Sequence, residues 1–166
     1  KRGIRMPEMT LLGWFHTILG VLAVLSGFYT LYKYRVISFE ESSGKVYILV
    51  TLLVAGSALG IYNQGGFGVA HILAVLTLIA LAGGYIMERY KWFGSFSKYF
   101  QALGYTSTLL FHMIPAITDF LRRLPVGDTF IDSFEDPLLL NFHLAFLIVY
   151  GVGIIAQMIW LKRQGA

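Results

Sequence analysis

The sequence predicts an all-α fold: an integral membrane bundle of five transmembrane helices forming a single domain over residues 1–166. Three observations carry that prediction. The 166-residue chain is 57% hydrophobic and only 13% charged, with a mean hydropathy of +0.68, more than a soluble domain of this size uses. Its apolar residues gather into five runs, each within the roughly 17 to 25 residues that a helix needs to cross hydrocarbon. Lysine, arginine, tyrosine and tryptophan collect where those runs end, as interfacial anchors do.

The first span covers residues 10–32 and is closed by Lys33 and Arg35 among Tyr29, Tyr32 and Tyr34. Helical spacing places Gly13, His16, Gly20, Ala23 and Gly27 on one stripe, where another body can approach the backbone closely. Such a stripe serves small-residue helix packing, or a flat tetrapyrrole lying against the glycines with His16 as its axial ligand. No small-residue cleavage site follows this run, which argues against a removable signal peptide.

After a polar connection over 36–44, the second span covers 46–62. It has no histidine and reads as scaffold, with Ala55, Gly56, Ser57, Ala58 and Gly60 suited to tight packing. Asn63-Gln64-Gly65-Gly66 predicts a tight turn, so the third span, 67–87, runs antiparallel to the second. It holds His71 near its start, beside Gly68, and is finished by Glu88, Arg89 and Lys91. An aromatic connector (Trp92, Phe93, Phe96) suits the interface.

The fourth span, 99–121, is the most polar. Gln101, Tyr105, Thr108, His112 and Asp119 share one face, which is costly against lipid and so is expected to point into the bundle. Pro115 cannot donate to the Phe111 carbonyl and is expected to kink the helix beside His112. Gln101 and Tyr105 suit a polar pocket for a quinone, a proton path, or plain packing hydrogen bonds. Asp119 is one turn from Arg122 and Arg123, and an interfacial ion pair explains it more simply than metal ligation. An acidic loop follows, with Asp128, Asp132, Glu135 and Asp136. The fifth span, 138–161, carries His143, Tyr150 and Gln157 and is anchored by Lys162 and Arg163.

The chain has four histidines, His16, His71, His112 and His143, each on a different apolar run, and an ionisable group inside a membrane segment is a functional-site hypothesis by default. At 1.5 Å per residue, His16, His71 and His143 fall roughly 6 to 9 Å from one boundary and His112 roughly 13 Å, so all four are expected in one layer. Five basic residues (Lys1, Arg2, Arg5, Arg122, Arg123) would lie on the histidine side and eight on the other. That imbalance puts the histidines toward the external, periplasmic face of a bacterial inner membrane, although the three basic residues before the first span pull the other way.

With no cysteine, the chain cannot carry a disulfide, a thiolate-ligated cluster or covalently attached haem. Histidine is the obvious ligand available. Pairs of imidazoles across a glycine-lined slot would hold haem b; His16 and His71, beside Gly13, Gly20 and Gly68, are the first choice, with His112 and His143 a second pair or a metal site. Alternatively, three or four imidazoles converge on copper, zinc or iron, with Asp119 as an added ligand. The corresponding functions are electron transfer with quinol or an external carrier, which the acidic loop could dock, or transition-metal binding or transfer. A third reading is a non-catalytic accessory subunit of a larger membrane complex, whose histidines only pack. No nucleophile–base constellation, phosphate loop or dinucleotide fingerprint is present, and the +4 net charge belongs to membrane topology rather than a nucleic-acid surface.

Two resemblances add to this. The stretches His16-Thr17-Ile18-Leu19-Gly20 and Gly44-Lys45-Val46-Tyr47 resemble the His-x3-Gly and Gly-[Lys/Arg]-x-Tyr starts of the first two spans in a family of small, uncharacterised bacterial membrane proteins, over residues 10–85. Where that family often has a His-Arg pair before the second glycine, this chain has Glu41-Ser42-Ser43. Four membrane histidines are also similar to the cytochrome b561 class of dihaem membrane proteins. That resemblance implies haem pairs near opposite faces, whereas the layer reading puts all four histidines near one.

Overall fold

The computed structural model describes residues 10–62 and 66–165. Lys1, Arg2 and Arg5, and the Asn63-Gln64-Gly65 part of the expected turn, lie outside the described residues. Within them the chain forms α1 (Leu11–Tyr34), α2 (Ser42–Ala58), α3 (Val69–Tyr90), α4 (Ser97–Arg123) and α5 (Pro137–Arg163), with one 3-10 turn (Gly94–Phe96) leading into α4 and no strand. Three helices, α1, α3 and α5, are long and apolar enough to cross a membrane. The α2 helix has 17 residues, and α4 is long but more polar.

The helix limits follow local chemistry. Thr10 caps α1 by accepting the Gly13 N–H (3.1 Å), and Asp136 caps α5 by accepting the Leu138 N–H (2.8 Å), with Pro137 in the first turn where its missing donor costs nothing. Arg35 and Lys91 take left-handed conformations (φ 68° and 51°) that stop α1 and α3. The second helix starts four residues before the expected 46 and ends at Ala58 rather than 62, where Leu59 and Gly60 turn. The α4 helix continues unbroken through Pro115.

Helices α1 to α4 form a four-cornered bundle: α1 packs on α2, α2 on α3, α3 on α4, and α4 on α1. The α5 helix packs outside this square, against α4. Directions follow from paired residues. His16 meets Ser57 and Gly27 meets Tyr47, so α1 and α2 are antiparallel; Tyr47 meets Thr108 and Thr51 meets His112, so α2 and α4 are parallel. Thr118 meets His143 and Ser107 meets Tyr150, so α5 opposes α4. The starts of α1, α3 and α5 therefore share one end of the bundle, called here the histidine end; Glu88 lies at the other.

Glycines allow close approach at two helix crossings. A Cβ on Gly27 would lie 2.7 Å from the Tyr47 ring and 2.8 Å from Leu109, so this turn of α1 is filled by α2 and α4 side chains. At the α3–α4 crossing a Cβ on Gly104 would lie 2.8 Å from the Ala80 carbonyl, and one on Gly84 would lie 2.7 Å from the Tyr105 ring. Small residues at a crossing let backbones meet, which is how helices gain dispersion contacts where lipid removes the hydrophobic drive. Ala23, Ile37, Tyr47, Leu81, Tyr105 and Leu109 form the resulting core.

The outer surface is the reverse of a soluble protein's. Large apolar side chains such as Leu25, Ile79, Leu147, Val149, Val152 and Ile155 are more than half exposed, and α5 buries only Leu139, Gln157 and Leu161. Apolar exposure on this scale marks a membrane or interface surface. Polar groups turn inward instead: Thr30, Thr51, Thr77, Thr106, Thr108, His71, His112 and Gln157 are all buried.

Candidate functional site

The inward polar face of α4 is present as its spacing predicts for four of five residues. Gln101 donates to the Ile37 carbonyl (3.1 Å), Tyr105 to Glu88 Oε2 (2.8 Å), Thr108 pairs with the Tyr47 hydroxyl, and His112 Nε2 meets Thr51 Oγ1 (3.1 Å). Asp119 departs from this face. It is 61% exposed and pairs with Arg123 (3.4 Å), so it takes the ion-pair role.

Tyr47, Thr51, Thr108 and His112 make a buried cluster between α2 and α4, on the diagonal of the square. The Tyr47 ring stands edge-on to the His112 ring at 6.4 Å. The Thr108 hydroxyl donates in turn to the Tyr105 carbonyl (2.6 Å). Polar pairs like these hold helices together where no water competes.

Each of the other histidines has a distinct partner, and the partner decides the tautomer. His16 Nδ1 lies 3.0 Å from Ser57 Oγ, whose single proton is directed at the Val54 carbonyl (2.9 Å). The Ser57 oxygen therefore accepts from Nδ1–H, leaving the lone pair of a neutral imidazole on Nε2. His143 is the mirror case. Thr118 donates to the Ile114 carbonyl (2.7 Å) and accepts from His143 Nε2–H (3.2 Å), leaving the lone pair on Nδ1.

His71 is arranged differently. The Gly68 backbone N–H, which can only donate, points at His71 Nδ1 (3.1 Å), so Nδ1 is the acceptor and Nε2 carries the hydrogen. The ring is 4% exposed and flanked by Tyr62 and Phe67, with centroids 4.7 and 5.0 Å away. Among the described residues its Nε2–H has no partner. A buried donor left in that state costs on the order of 1–3 kcal/mol.

Measured along α2, Ser57 is six residues from Thr51, so His16 lies roughly 9 Å nearer the histidine end than His112; the same spacing on α4 from Thr118 to His112 puts His143 level with His16. His16 and His71 belong to opposite corners of the square, and no group of three or more His, Asp or Glu side chains among the described residues could hold a metal ion.

His16 fits an axial ligand: its Nδ1–H is held by an oxygen and its Nε2 carries the lone pair, the arrangement that orients a ligating imidazole. Gly20, one turn along, has open space where its side chain would be. His71 in its present tautomer does not fit, because a protonated nitrogen offers no lone pair. Gly68, beside it, also faces open space, whereas Gly13 is buried and Gly27 is filled by Tyr47.

A second polar centre sits at the other end. Glu88 Oε1 accepts from Ser38 Oγ (2.5 Å) and the Phe39 N–H (2.7 Å), while Oε2 takes the Tyr105 hydroxyl. From α5, Gln157 accepts from Thr106 of α4 (3.0 Å) and donates to the Arg35 carbonyl on the same connection (2.7 Å). Side chains from α3, α4 and α5 thus clasp the α1–α2 connection. A cleft of about 370 Å³ opens beside it, lined by Ser38, Glu40, Glu88, Lys91, Lys98 and Gln101. The sequence signals Glu88 only as a span-end charge. The one further hint was its spacing of a single turn from Gly84, across which Tyr105 lies.

Comparison of the chain with family models, with curated proteins and with solved structures returns no match.

Proposed function

We propose that this chain is a membrane redox protein that crosses a bacterial inner membrane five times and binds haem b at its histidine end, with His16 as an axial ligand. Electrons would be exchanged there with quinol or an external carrier. Five crossings follow if α1, α3 and α5 cross, because these run parallel and α2 and α4 must return the chain between them. The observation that carries the functional reading is the His16 arrangement: Nδ1–H bonded to Ser57 Oγ at 3.0 Å, Nε2 bearing the lone pair, and open space at Gly20. Haem would supply one-electron chemistry. The chain supplies an oriented imidazole and an interior whose low dielectric and hydrogen bonds tune a potential.

The test is an optical spectrum of the detergent-purified protein, oxidised and then dithionite-reduced, with metal analysis of the same sample. A sharp Soret band with reduced α and β bands is expected, and His16→Ala is expected to lose most of it. A colourless protein holding stoichiometric copper, zinc or iron, or a spectrum unchanged in His16→Ala, overturns the assignment.

One observation favours a second reading, the accessory subunit. His16, His112 and His143 each bond a serine or threonine hydroxyl on a neighbouring helix, which is how purely structural imidazoles join helices. A colourless and metal-free protein that co-purifies with defined membrane partners is the result that reading expects.

A further inference from the structure

The His71 corner carries a feature that neither packing nor iron ligation uses. Its Nε2–H is buried, unpaired among the described residues, and fixed as a donor because Gly68 N–H occupies Nδ1. The ring lies between two aromatic side chains that are themselves largely exposed, Tyr62 at 57% and Phe67 at 66%. A group that completes this corner must bring an acceptor oxygen, must be flat or apolar enough to sit against aromatic rings, and must arrive from the apolar surroundings of the bundle.

We infer that His71 is the hydrogen-bond donor of a quinone site, its Nε2–H donating to a quinone carbonyl while the quinone ring packs against Tyr62 or Phe67. The oxidised ring presents carbonyl oxygens that only accept, which matches a nitrogen that only donates. Both flanking side chains are exposed and lie over the faces of the imidazole, so either can turn aside to let a flat ring in beside it without moving α3. The site rests on the redox reading above, since it names where quinone would meet the protein, but it uses His71 and not His16.

The experiment titrates the full chain in dodecyl maltoside micelles, which contain no carbonyl group, with a short-tailed benzoquinone, following quenching of intrinsic fluorescence and the infrared carbonyl band. Saturable binding is expected, with the bound carbonyl band shifted to lower frequency by the hydrogen bond. His71→Leu is expected to bind about tenfold more weakly, equivalent to about 1.4 kcal/mol. His71→Gln keeps an N–H donor and is expected to stay within about threefold of the parent, and Gly153→Ala, whose added Cβ on α5 meets nothing within 4 Å, to bind as the parent does. Circular dichroism melts confirm that each variant is folded.

No saturable binding to the parent chain overturns the proposal, as does unchanged affinity and band position in a folded His71→Leu. So does displacement of the quinone by ester-linked but not ether-linked phospholipid, which would make a lipid carbonyl the natural acceptor. Quinone binding in a protein without a haem spectrum would sink the haem assignment alone; a haem spectrum without quinone binding would sink this site alone.

Discussion

Gly44→Ala is expected to destabilise the protein by about 3 kcal/mol or more, an overpacking cost at the upper end of the usual range because the obstacle is backbone. A Cβ at this position would lie 2.0 Å from the Ser38 carbonyl oxygen and 3.0 Å from its carbonyl carbon. A flexible side chain could swing away from such a contact, but Ser38 cannot. Its hydroxyl is bonded to Glu88 and the next residue's N–H is bonded to the same carboxylate, so moving Ser38 pulls the α1–α2 connection off α3. A melt in detergent followed by circular dichroism should show the midpoint falling by roughly 6–12 °C, by the usual scaling for a chain of this length. Gly56→Ala and Gly153→Ala are the controls. Neither Cβ would meet anything within 4 Å, and each should change stability by no more than about 0.5 kcal/mol. If Gly44→Ala melts with its controls, the close approach of Ser38 is wrong.

Glu88→Ala is expected to cost about 3 kcal/mol, through a different mechanism. The carboxyl group takes three hydrogen bonds, and removing it leaves the buried Tyr105 hydroxyl without a partner, a state that costs on the order of 1–3 kcal/mol. Tyr105 is fully buried and has no water to turn to once Glu88 is gone, whereas Ser38 lines an open cleft and does. Glu88→Gln keeps one acceptor oxygen and should lose about half as much. A double-mutant cycle isolates the pair. Tyr105→Phe should cost about 1 kcal/mol in the parent and close to nothing in Glu88→Ala, since its partner is already absent. Additive losses would show that Tyr105 and Glu88 act independently, and the clasp at this end would have to be assigned to Gln157 and Gln101 instead.

How far the sequence could be read varies with the kind of residue. The α4 face was legible because a helix places offsets of three, four and seven on one side, and Gln101, Tyr105, Thr108 and His112 do point inward. The same rule failed for Asp119, where a basic residue one turn away offered a partner at the surface. Of the expected histidine layer, His16 and His143 stand at one level, whereas His112 lies about 9 Å deeper, since helix ends slip by a few residues. Pairing His16 with His71 was natural from their neighbouring glycines, but α1 and α3 stand at opposite corners of the square.

Composition and periodicity are local properties, and by themselves they determined an all-helical chain with an apolar exterior and a polar interior face on α4. The identity of each polar partner is not local. Glu88 meets Tyr105 across 17 residues, Tyr47 meets Thr108 across 61, and Gln157 reaches Arg35 across 122. A hydrogen bond forms only within a few tenths of an ångström of its proper length, and such distances exist only once Gly27, Gly84 and Gly104 have let the helices settle. The same holds for the imidazoles. Which nitrogen of His16 is free and which of His71 is protonated depends on whether the group opposite is a hydroxyl or a backbone N–H, and only the tertiary structure placed those groups.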